Sequence, residues 1–138
     1  MVNYSELIKI VCDDLKIDKP IVKEVLFLHT PTQLAEYIPV DNLLNYRTGK
    51  MPLDIMFAIA HELRHKWQAE NCPDIFQDYA NSTEINVEQY NLQNAEIDAN
   101  AYAMVMIESG FGVTPQFKGL SEKVKKKILL RANEIMKE

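Results

Sequence analysis

The chain has 138 residues, a formal net charge of -5, 47% hydrophobic residues and 25% charged residues. That length suits one domain around a single core, and the composition excludes disordered and fibrous classes. The acidic balance argues against direct nucleic-acid binding, no apolar run is long enough to span a bilayer, and two cysteines are too few for a disulfide framework.

The opening MVNYSELIKI has no basic region followed by an apolar stretch, so no secretory signal is expected. The cytoplasm, with Cys12 and Cys72 reduced, is the expected compartment. Asn3 reads as an N-cap with Glu6 three positions on, ahead of Leu7, Ile8, Ile10, Val11 and Leu15, and predicts an amphipathic helix ending before Pro20. The stretch from Ile21 to Leu28, rich in β-branched and large apolar residues, predicts a strand. Thr30 to Tyr37 predicts a short helix, with Thr30 as N-cap and Pro31 at its first position. Leu43 to Arg47 predicts a second strand, closed by Thr48, Gly49 and Lys50.

Pro52 opens a stretch with no breaker before Asn71, Cys72 and Pro73. Its first turns carry Leu53, Ile55, Met56, Phe57 and Ile59, with Leu63 further on, and leave no wholly polar face, the pattern of a buried helix. From Asn71 to about Asn86 the chain is polar and irregular, with a short helical piece expected from Asp74 to Ala80. A second long helix is expected from Val87 to Ser109, stopping at Gly110. Phe111 to Gly119 reads as a loop. Ser121 caps a last amphipathic helix with Val124, Ile128, Leu129, Ala132 and Ile135 on its apolar side. Lys123, Lys125, Lys126, Lys127 and Arg131 read as its solvated face.

Two of the three histidines, His61 and His65, fall in AHELRHKWQ. Residues four apart on a helix project from one face, so both imidazoles can point at one metal ion. Imidazole nitrogen is a good zinc ligand. Glu62, about 100° round the helix, is suited to hydrogen-bond a water at an open coordination position. Two ligands and a general base on one helix make the H-E-x-x-H arrangement.

A catalytic zinc takes a third protein ligand and leaves one position for water. The better candidate is Glu96 in NAEIDANAYA, on the second long helix, where Glu96 and Asn100 are four apart and share a face. Ala99 and Ala103 are small enough to let that helix approach a neighbour closely. A polar residue one turn past the ligand suits a group that orients ligating side chains. Asp98 turns to the far side and is the weaker choice. His29, after the first strand, is either a ligand or a group steadying an intermediate. Tyr90 and Tyr102 join it as candidate donors to an oxyanion, between which spacing does not choose.

A-H-E-L-x-H followed further along by E-x-x-A-[ND]-x-[FY]-A resembles the ImmA/IrrE family of zinc metallopeptidases, small gluzincin-like enzymes of bacteria, prophages and mobile elements. The match covers Ala60 to His65 and Glu96 to Ala103. Arg64 stands where glycine is common, Tyr102 replaces the usual phenylalanine, and Trp67 and Gln68 occupy a region that often carries another histidine. The resemblance implies His61, His65 and Glu96 as ligands of Zn2+, Glu62 as catalytic base and Asn100 as an orienting partner. It also implies cleavage of a peptide bond in a protein substrate, helix-turn-helix repressors being the family's kind.

The expectation is one α+β domain over 1–138 of minimal zincin-like type, with a long HExxH helix packed on a ligand-bearing helix and a small sheet. The competing expectation is a non-catalytic zinc-binding regulatory module. Retention of Glu62 argues against it, because a purely structural zinc needs no base.

Overall fold

In the computed structural model, which describes residues 3–138, the Asn3 side chain accepts the Glu6 backbone N–H at 3.2 Å and starts helix α1 (Tyr4–Leu15). Lys16 ends that helix in the left-handed region, at φ 57°. Strands β1 (Ile21–Val25), β2 (Ala35–Ile38) and β3 (Leu43–Arg47) follow, then helix α2 (Pro52–Asn71). Three further helices are α3 (Val87–Leu92), α4 (Asn94–Phe111) and α5 (Glu122–Met136). The chain is therefore α+β, with five α-helices and one three-stranded sheet among the described residues. No described helix is long and apolar enough to cross a membrane.

Two compact units divide the chain, the first ending at Trp67 and the second running from Gln68 to Glu138. In the first, the sheet has the order β1-β3-β2, with β1 parallel and β2 antiparallel to the central strand. Its buried apolar residues come from one face of α1 (Ile8, Val11, Leu15), from Leu44 on β3 and from Ile55, Met56, Ile59 and Leu63 on α2. Tyr4 of α1 meets Tyr46 of β3 with ring centroids 5.1 Å apart.

Two expectations change here. The first strand ends at Val25, not Leu28, because its partner β3 ends opposite it at Arg47. Beyond that point the ladder offers no backbone partner, and Leu26 and Phe27 stand exposed. The helix expected from Thr30 to Tyr37 does not form. Thr30 closes a turn by accepting the Gln33 N–H on its hydroxyl at 3.2 Å, and Ala35–Ile38 joins the sheet as β2. Pairing with β3 outweighs the helix preference of Leu34, Ala35 and Glu36, as tertiary context commonly does.

In the second unit α4 is buried on every side from Ala95 to Met104, and α5 adds Val124, Ile128 and Ala132. Ser121 caps α5, as its sequence suggests, by accepting the Val124 N–H at 3.3 Å. Between Asp74 and Ala80 only a 3-10 turn forms, at Pro73–Phe76. The single helix expected from Val87 to Ser109 is two helices, broken at Gln93, whose backbone is extended at ψ 140°. The Gln93 amide holds both polar groups of Ala80, accepting its N–H at 2.7 Å and donating to its carbonyl at 3.0 Å. The helix ends at Phe111 rather than Ser109, and Gly112, not Gly110, takes the left-handed cap at φ 67°. Removing the amide in Gln93→Ala leaves two backbone groups to find other partners, and is expected to cost about 1–2 kcal/mol in urea unfolding.

Candidate metal centre

Helix α2 carries the first half of the site. With no breaker between Pro52 and Asn71, it runs unbroken through the motif and sets His61 and His65 one turn apart. Their Nε2 atoms are 3.1 Å apart, with the rings edge to face at 86°. Glu62 turns away from the pair but stays close, its Oε2 lying 3.6 Å from His61 Nε2. The other carboxylate oxygen, Oε1, accepts the Tyr37 backbone N–H at 3.0 Å. Because β2 is an edge strand, Tyr37 can turn that N–H away from the ladder and use it to orient Glu62.

Helix α4 carries the other half. Glu96 is only 2% exposed, and its Oε2 accepts the Tyr79 hydroxyl at 2.8 Å. The Tyr79 hydroxyl also lies 3.0 Å from that of Tyr90. Burial first, and then the nearby Glu96 charge, push the Tyr79 hydroxyl well above its ordinary pKa, so it stays protonated and able to donate. His61, His65 and Glu96 offer three ligand atoms that all lie within 4.8 Å of one another, a group able to hold a metal ion.

The remaining sequence candidates fall in different settings. Asn100 is buried on α4. Tyr102 is buried on the same helix, and Tyr90 is bonded to Tyr79. His29 stands largely in solvent, its side chain 76% exposed, and its Nε2 pairs with Glu36 Oε2 at 2.8 Å. Asn45 donates to the other Glu36 oxygen at 3.0 Å.

Three features escape a reading of the sequence. Tyr79 lies in the irregular stretch before α3, with no periodicity to signal it. Asp98, the weaker choice as a ligand, accepts Gln68 Nε2 and Arg131 Nε, each at 2.8 Å. Gln68 also donates to the Ala95 carbonyl at 3.0 Å, next to Glu96. Arg64, the unexpected residue inside the motif, is buried with its guanidinium carbon 3.8 Å from the centre of the Trp67 ring. That is a cation–π contact in which the planar guanidinium covers the indole. No protein-family model, curated protein or solved structure matches this chain.

Proposed function

We propose that the chain is a zinc-dependent peptidase of the ImmA/IrrE kind, a minimal zincin-like domain that hydrolyses a peptide bond in a protein substrate. The observation that carries this reading is the convergence of His61, His65 and Glu96 beside a carboxylate on the same helix as the two imidazoles. The donor set fits the metal. Two nitrogens bound tetrahedrally to one zinc at about 2.0–2.1 Å stand roughly 3.3 Å apart, and the two Nε2 atoms are separated by 3.1 Å. One carboxylate and two imidazoles leave a four-coordinate ion open at one position, as a catalytic site requires.

Zinc held there supplies Lewis acidity, lowering the pKa of a water toward ~7 and polarising the scissile carbonyl. The chain's own contribution is proton transfer and positioning. Tyr37 takes up Oε1 of Glu62, so Oε2 is the oxygen turned toward His61, where it would meet a water on a bound metal. Glu62 accepts the water's proton as the C–O bond forms and returns it to the amine as the C–N bond breaks. Tyr90 and Tyr102 are the candidate donors to the oxyanion, and the substrate pose chooses between them. Helix-turn-helix repressors are the substrate class the sequence resemblance implies.

The test is the metal content of the native protein and of Glu96→Ala, purified without chelator and dialysed. The native chain is expected to hold one zinc, and Glu96→Ala to lose most of it, because two imidazoles alone make an incomplete site. Equal zinc affinity in the two proteins would remove Glu96 from the ligand set.

A further inference from the structure

We infer that Tyr79, backed by Tyr90, is a positioning residue that sets the orientation of the Glu96 carboxylate as a metal ligand. This rests on the zinc reading above and extends it to a residue outside both motifs.

The Tyr79 hydroxyl has one proton and two neighbours, Glu96 Oε2 at 2.8 Å and the Tyr90 oxygen at 3.0 Å. An ionised carboxylate has no proton to give, so in the bond to Glu96 the Tyr79 hydroxyl is the donor, with the Tyr90 oxygen beside it. A hydroxyl donating to a carboxylate forms a charge-assisted bond, roughly twice as strong as a neutral one. With Oε2 bonded to the phenol, the two Glu96 oxygens are no longer equivalent. A carboxylate that would otherwise rotate about its terminal bond is thereby held in one orientation, which is how outer groups raise the affinity of ligands they touch.

The segment carrying Tyr79 is built to hold it there. Asp78, the preceding residue, adopts φ 60°, a left-handed conformation that aspartate tolerates better than most residues. Ala80, the following residue, is gripped at both its N–H and its carbonyl by Gln93. The Tyr79 ring meets Phe76 on one side, with centroids 5.6 Å apart at 75°, and Tyr90 on another, at 6.1 Å and 68°. Both are favourable edge-to-face contacts. The break between α3 and α4 acquires a purpose here. Gln93 leaves the helix, and its side chain anchors the loop that delivers the phenol to Glu96.

The test compares native protein, Tyr79→Phe and Tyr90→Phe. Zinc affinity is measured by competition with a chromophoric chelator, and the d–d absorption of the Co2+-loaded proteins is recorded. Tyr79→Phe keeps the ring contacts and loses the proton, and should bind zinc about 10–100-fold more weakly, with altered Co2+ band positions or intensities. Tyr90→Phe, which leaves the bond to Glu96 in place, should weaken zinc by a few-fold only. If Tyr79→Phe is folded and matches the native affinity and Co2+ spectrum, the inference is overturned while the zinc site stands. If native protein takes up no zinc, both fall together. Should Tyr79→Phe fail to fold, Tyr90→Phe decides, since an affinity and spectrum identical to native would overturn the inference.

Discussion

Glu62→Gln is expected to retain its zinc and to lose peptide hydrolysis by about 10²–10⁴-fold, the usual contribution of a positioned general base. Glutamine keeps the shape of the side chain and an oxygen able to accept the Tyr37 N–H, which in the native protein binds Oε1 at 3.0 Å. The contact that orients residue 62 therefore survives, and so do both imidazoles and Glu96. What disappears is the ability to take a proton near neutral pH, because an amide is not a base there. The two readouts are zinc content and the cleavage rate of a quenched fluorescent peptide library, measured on the same preparation. Full zinc with lost cleavage identifies Glu62 as the base. Cleavage at native rates with Glu62→Gln would contradict that role, and a chain acting only as a zinc-binding regulatory module would show no cleavage in either protein.

Much of this centre follows from local rules. The spacing of His61 and His65 needs only a helix to bring the two nitrogens together, and Pro52 to Asn71 contains nothing that would break one. Asn3 and Ser121 cap their helices through contacts three residues away, which is why both starts are readable in advance. Features that depend on distant partners behave differently. Thr30 to Tyr37 has a respectable helix signature, yet the free edge of β3 recruits Ala35–Ile38. Gln93 is an ordinary helix residue until Ala80 offers it two backbone groups. Tyr79 has no pattern at all, because its position depends on that same long-range clamp. Arg64 differs from these, because its partner, the Trp67 ring, is only three residues on along the same helix and falls under local rules.

Asp98 supports the other large expected effect, on stability. Its side chain is 5% exposed, and its two oxygens accept Arg131 Nε from α5 and Gln68 Nε2 from the end of α2. Burial works against the Arg131 charge, but the bond and charge of Asp98, with Glu134 and Glu138, outweigh it and raise the guanidinium pKa further. The guanidinium therefore stays charged across the accessible pH range. Arg131→Met removes the cation and leaves a buried carboxylate behind, whereas Arg131 itself, 28% exposed, can turn to water when Asp98 is removed. The loss for Arg131→Met is expected to be about 3 kcal/mol in urea unfolding, near the low end for breaking a buried pair because Arg131 is not wholly enclosed. Replacing both partners, as Arg131→Met with Asp98→Leu, should be less damaging than Arg131→Met alone, since no charge is then stranded and Gln68 keeps the Ala95 carbonyl. Two changes that simply add would mean the residues are not coupled. A double variant more stable than Arg131→Met would show that the cost lies in desolvating Asp98 and that Arg131 offsets it.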